Sequence, residues 1–172
     1  MRKLVGLLAL SFLGVCNPIG AADEAVQLSV PYVRQSKALC GGAAAAMVFR
    51  FWGAYDARAQ DFSSLVDRRA GGIANDALAR AIEERAWQAV QFKGSIESIR
   101  ERMRAGQPVI LLTRERGERF HYVVAVGLTS DHIVLHDPAR GPSRHLRIDR
   151  FVRAWNAAGS WALLVLPTND KR

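Results

Sequence analysis

Cys40 stands in the stretch SKALCGGAAAAMV (36–48), where two glycines and four alanines follow it. Alanine is the best helix former and the glycines give little reason to extend a helix backwards, so a helix begins at or just after Cys40. A thiol there meets the unpaired amides and macrodipole of a helix N-terminus, which favour an anion. The free thiol titrates at about 8.5, so a cysteine nucleophile needs further help to become a thiolate at neutral pH. An imidazole gives that help, and it needs an orienting group in turn. The chain has four histidines, His121, His132, His136 and His145. His121 opens the apolar run HYVVAVGL, whereas His132 starts a run after a turn and is expected at the surface. His136 directly precedes Asp137 in HIVLHDPARG, and strand alternation turns those two side chains to opposite faces. Asp137 can instead meet His121 across a ladder between their two strands. Each residue alone has a plainer reading: a small buried hydrophobe for Cys40, a satisfied core histidine for His121, an Asp-Pro turn for Asp137. Together they point to a thiol nucleophile, its base and the carboxylate that orients the base.

The elements that must position these residues fall into a helical first half and a strand-rich second half. AVQLSVPYV (25–33) reads as an extended arrival, followed by a helix from about Cys40 to Trp52, which Gly53 stops. Asp61 and Asn75 are capping residues that open DFSSLVDRR and NDALARAIEERA. WQAVQF (87–92) reads as a short strand, and Ser95 caps IESIRERMRA. After Pro108 the runs VILLTR, FHYVVAVGL, HIVLHD and SWALLVLP are β-rich, the first two forming a hairpin. A Gly/Pro-rich link follows Asp137, and Asp149 is placed to cap a last helix, RFVRAW. This order predicts an α+β fold, with helices packed on an antiparallel sheet.

The ends and the charge bound the rest. With 172 residues, 49% of them hydrophobic, the chain suits one domain with a proper core. Residues 1–22 combine Arg2 and Lys3, the apolar LVGLLALSFLGV and a small-residue close, which reads as a secretory signal cut near Ala21 or Ala22. That leaves residues 23–172 as a single domain, exported to the periplasm or beyond the cell. Two other fates for this segment are an uncut anchor and lipidation at Cys16, and membrane association is expected only through one of them. Once the signal is removed, Cys40 is the lone cysteine, so no disulfide can form within one chain: it is buried and inert, paired between chains, or reactive. The formal charge of +8 becomes +6 with the loss of Arg2 and Lys3. The basic residues alternate with acids and no aromatic residues interleave with them, which argues against nucleic-acid binding. An acidic partner or anionic surface is compatible with the overall field.

VPYVRQSKALCGGAAAAMVFRFWG and GERFHYVVAVGLTSDHIVLHDPARG resemble the C39 family of cysteine peptidases, the bacteriocin-processing, double-glycine peptidase group within the papain-like fold. The shared pattern is a glutamine ahead of Cys-Gly and an Ala-rich helix ending in an aromatic and Gly. A histidine opening an apolar strand and a closing Asp-Pro-Ala-x-Gly complete it. The resemblance spans roughly residues 28 to 166. It implies a papain-like α+β fold and thiol-dependent hydrolysis of peptide bonds without metal or cofactor. Cys40 would be the nucleophile and His121 the general base and then acid, while Asp137 would hold the tautomer of His121. Gln35 and the Cys40 amide would stabilise the oxyanion, and the glycines would let the backbone approach the substrate. The implied partner is a polypeptide, such as a secreted or surface-fibre protein. Exporter-fused members often carry acidic residues between the glutamine and the cysteine and have one more residue there than the basic SKAL. Two alternatives differ in chemistry: a C39-like domain that binds peptides with Cys40 not catalytic, and a papain-like amidase or acyltransferase.

Overall fold

A computed structural model describes residues 25–115, 117 and 119–168. The signal-peptide reading of residues 1–22 lies outside the described residues. The elements in order are β1 (Val26–Gln27), α1 (Cys40–Phe51), a 3₁₀ segment (Ala59–Leu65), α2 (Asn75–Glu83), β2 (Trp87–Lys93) and α3 (Ile96–Arg104). Then come β3 (Val109–Arg114), β4 (Phe120–Leu128), β5 (His132–Asp137), β6 (Gly141–Arg147), α4 (Ile148–Asn156) and β7 (Trp161–Pro167). The strands form one antiparallel sheet in the order β2-β7-β3-β4-β5-β6, with β1 added to the far end of β4. This is the mixed helix and antiparallel-sheet fold that the sequence predicts.

Both faces of the sheet are covered, which is why β4 reads as a continuous apolar run and not as an alternating one. Tyr122, Val124 and Val126 meet Met47, Phe49 and Leu78 on the α1 side. Val123, Ala125 and Leu135 meet Ile99, Met103, Phe151 and Trp155 on the α3 and α4 side. Helix α1 is buried from Cys40 through Phe49, so it is apolar all round, as a helix at the centre of a core must be.

The glycines after Cys40 serve this packing. A Cβ on Gly42 would lie 2.5 Å from the carbonyl oxygen of Ala59, and one on Gly41 would lie 3.2 Å from the Tyr122 ring. The 3₁₀ segment and Tyr122 therefore press directly on the backbone of the first turn of α1.

Several local expectations give way to tertiary structure. The stretch from Asp61 closes as a 3₁₀ segment beginning at Ala59 and ending at Leu65. Only Val26–Gln27 of the extended arrival pairs as a strand. Asn75 does not cap α2, because its side-chain oxygen accepts the Tyr122 hydroxyl. Asp149 lies in the first turn of α4, with Arg147 at the cap position. The Gly/Pro-rich link after Asp137 is strand β6, at the sheet edge, where Pro142 leaves no inner ladder short of a donor. Ser95 does cap α3, accepting the Ser98 amide at 3.1 Å. No described helix is long and apolar enough to cross a membrane.

Candidate active site

Cys40 is the first residue of α1, and no side chain caps the helix there nor is any acid present in its first turn. The amides of that turn are thus neither capped by the Leu39 side chain nor matched by an acid of the turn itself. The turn leading in is held by Ala38 in a left-handed conformation, at φ 62°, which is strained for a residue with a Cβ. The thiol is free and buried. Burial pushes it up, but the His121 side chain, the backbone amides of Tyr122 and Gly41 and the charge on His121 together hold it below its ordinary 9.0.

His121 comes to the thiol from the start of β4, and Asp137 comes to His121 from the end of β5. The Nε2–H of His121 donates to Asp137 Oδ1 at 2.8 Å, with both residues buried. That leaves Nδ1 as the ring nitrogen for the thiol. Burial lowers the affinity of His121 for its second proton. The Asp137 hydrogen bond and the paired Cys40 more than offset this and raise it to about 9. The arrangement shifts both groups toward a thiolate beside an imidazolium.

Asp137 is in turn fully engaged. Its Oδ1 also accepts the amides of Ala139 at 2.9 Å and Arg140 at 3.1 Å, and its Oδ2 accepts Arg140 Nη1 at 2.9 Å. Burial alone would raise the carboxyl, yet His121 and Arg140 hold it well below the usual carboxylate range. The same Arg140 nitrogen donates to Glu115 in the turn after β3. A chain of charges therefore runs from Glu115 through Arg140, Asp137 and His121 to Cys40. Sequence reasoning missed Arg140 and Glu115. The Asp-Pro-x-Arg spacing was a usable signal for Arg140, because the turn closed on Asp137 brings the residue three positions on beside its carboxylate.

Gln35 stands differently. Its backbone amide donates to the Pro138 carbonyl at 3.0 Å, next door to Asp137. Its side-chain oxygen is buried with no hydrogen-bond partner among the described residues. The segment leading to it is sewn to the sheet: the Leu28 amide donates to Val126, and the Tyr32 hydroxyl donates to the carbonyls of Asp137 and Pro138.

His136 points away from this cluster. Its Nε2–H donates to the Val30 carbonyl at 2.9 Å, while its Nδ1 accepts the Ser143 amide at 3.1 Å. Those two bonds require the neutral ring, and burial lowers its proton affinity accordingly. His132 pairs with Asp131 in the turn before β5.

A cleft of about 560 Å³ opens at Cys40, walled by Gly71, Gly72, Asn75, Leu112 and Phe120. The Asp67–Gly72 bridge closes the loop on one side of it. Tyr122 braces the same wall from beneath, donating its hydroxyl to Ile73 at 3.0 Å and to Asn75. Among the described residues no group of three or more His, Cys, Asp or Glu side chains could hold a metal ion.

The family model of the Peptidase_C39 like family matches residues 27–163, a span that includes every residue of this cluster. The chain belongs to the Peptidase_C39 like family. Solved structures agree on the fold. A C39-like peptidase from Bacillus anthracis superposes with a TM-score of 0.70 at 20% identity, covering 85% of this chain and 99% of that one. The peptidase domain of Streptococcus ComA, a bi-functional ABC transporter involved in a quorum-sensing pathway, gives 0.68 at 18% identity, covering 79% and 97%. A double glycine motif protease from an AMS/PCAT transporter, solved with its leader peptide, gives 0.64 at 21% identity, covering 83% and 95%. No curated protein matches the chain. The C39-like, papain-like fold explains the layout seen here: the start of the central helix meets the ends of two sheet strands, and the cleft lies over that meeting point.

Proposed function

We propose that this C39-like chain is a cysteine peptidase that hydrolyses peptide bonds of a polypeptide substrate through Cys40, His121 and Asp137. The observation that carries the reading is the double attachment of His121, to the buried thiol at a helix start and to a carboxylate at 2.8 Å. The Cys40 thiolate attacks the scissile carbonyl carbon, and the oxyanion receives the Cys40 amide and the side-chain amide of Gln35. The imidazolium of His121 then protonates the departing amine, leaving an acyl-thioester. Water, deprotonated by the now neutral His121, hydrolyses the thioester and frees Cys40. The leader-peptide complex of the related double glycine motif protease supports a peptide as the ligand of the cleft.

Iodoacetamide alkylation tests the thiolate. The rate at Cys40 should reach half its maximum below the ordinary 9.0, and His121→Ala should slow alkylation at pH 7. Peptide hydrolysis should decline above about 9, where His121 loses the proton that the leaving amine needs. Labelling that follows an ordinary thiol, or that requires denaturant, would return Cys40 to an inert buried residue.

Arg140 is proposed as a positioning residue, because it holds the second oxygen of Asp137 and is itself anchored by Glu115. Arg140→Ala should lower kcat about tenfold to a hundredfold through a misaimed Asp137. KM should stay nearly constant, and Arg140→Lys should recover part of the loss. A pure rise in KM, or no recovery with lysine, would reject this role.

A further inference from the structure

A second cavity, of about 470 Å³, lies on the opposite side of the site from the Cys40 cleft, with His121 and Asp137 in its wall. Its floor is apolar, formed by Val123, Leu135, Leu146 and Phe151, and its rim carries Arg119, Arg144 and Arg150. These three arginines are exposed, and among the described residues none is paired with a carboxylate. The neighbouring charges are already spent. Asp149, the only acid of α4, pairs with Arg147 and Arg153, and Glu115 and Asp137 share Arg140. The unbalanced positive charge of this face is therefore concentrated around one concave, apolar-floored groove. Arg119 also lines the Cys40 cleft, so the cleft and the groove meet at this residue.

We infer that this groove, which adjoins the cluster at His121 and Asp137, is a docking site for a segment of the polypeptide substrate beyond the residues at the scissile bond, in which Asp or Glu residues alternate with apolar ones. The inference rests on the peptidase reading for the identity of the ligand, and its chemistry rests on the groove. Carboxylates reach Arg119, Arg144 and Arg150 at the rim while apolar side chains cover the floor. A concave groove of this size admits a few side chains, whereas an anionic bilayer would present a plane of headgroups to a flat or convex surface.

The test measures binding alone, on the full chain carrying Cys40→Ala, so that loss of hydrolysis and loss of docking are separate results. The probe is a fluorescein-labelled synthetic peptide of alternating glutamate and leucine, read by anisotropy. Its lysine–leucine counterpart and phosphatidylglycerol vesicles are compared with it. The acidic peptide should bind, more weakly as salt rises, and the lysine peptide should not. Combined Arg119→Glu, Arg144→Glu and Arg150→Glu should weaken binding about tenfold or more, from three exposed charge contacts. The same charge change off the groove, Arg34→Glu, Arg80→Glu and Arg102→Glu, should weaken it less than about twofold. Replacing the three groove arginines by glutamine, a milder surface change, should give an intermediate loss. Equal losses from the groove and off-groove sets would mean that only the overall field binds, and would overturn the site. So would equal binding of the lysine peptide, or binding of the vesicles without binding of the acidic peptide. If docking persists in a protein whose thiol proves unreactive, the groove stands and the peptidase reading falls.

Discussion

Cys40→Ala is expected to lower the hydrolysis of any peptide the protein cleaves by about 10⁴-fold or more, with peptide binding and folding retained. Alanine suits the first turn of α1 and fills nearly the same space, so the variant loses the nucleophile and little else. His121→Ala should be nearly as severe, and the double variant no worse than either, because nucleophile and base act as one unit. Asp137→Asn should cost less but still heavily, since an amide in place of the carboxylate turns the imidazole to the wrong tautomer. His136→Ala is the control that carries the assignment. It removes a buried neutral ring bonded to Val30 and Ser143, so it should lower stability and leave the turnover of folded protein near its original value. Steady-state kinetics of the purified variants, each checked for folding by circular dichroism, decide the matter. A His136 variant as inactive as the His121 variant, or a Cys40 variant with full turnover, would reject the proposed chemistry.

The second large effect falls on stability. Gly42→Ala should destabilise the fold by about 2–3 kcal/mol, a fall in Tm of about 5–10 °C for a chain of this size. The added Cβ would stand 2.5 Å from the Ala59 carbonyl oxygen and 3.0 Å from Phe62 Cβ. The first of these is backbone, so relief requires the 3₁₀ segment to move away from α1. The helical preference of alanine, about 1 kcal/mol over glycine, offsets only part of this. Gly41→Ala should cost less stability, since its neighbour at 3.2 Å is the Tyr122 ring edge. Yet that ring is tied to Ile73 and Asn75 in the cleft wall, so the Gly41 variant should lose more activity than stability. Thermal denaturation followed by circular dichroism separates the two. A Gly42 variant as stable as the parent would show that the helix and the 3₁₀ segment part at little cost.

What was legible in the sequence follows from how local each cause is. The strand bounds of β3, β4 and β5 could be read from apolar runs ending at turn residues, and the start of α1 from the break between a polar loop and an alanine run. The His121–Asp137 bond, between neighbouring strands at short sequence distance, follows from pairing and alternation. The cap of α3 at Ser95 is local and was legible, whereas Asn75 was not, because its preferred use as a cap lost to the hydroxyl of Tyr122 from a distant strand. Strand β6 was hidden because its glycine and proline signal a loop unless it is known to lie at an edge. The packing role of Gly41 and Gly42 was hidden for the same reason: only tertiary structure reveals that the 3₁₀ segment and Tyr122 occupy the space beside them. Glu115 carries no local mark at all, since its link to Arg140 spans two separate turns.

The strap of residues 28–35 has a consequence for when the protein becomes itself. It is bonded to Val126, His136, Asp137 and Pro138, with side-chain contacts 105 and 106 positions apart in sequence. Cys40 is made early in synthesis, and His121 and Tyr122, which hold its thiol down, lie 81 and 82 positions later. Closing so long a loop is entropically costly and slow. Until the chain has been made past Pro138, the carbonyls that anchor the strap and the Asp137 carboxylate that holds His121 are missing. The topology thus delays assembly of the Cys40, His121 and Asp137 cluster until the chain has passed Pro138.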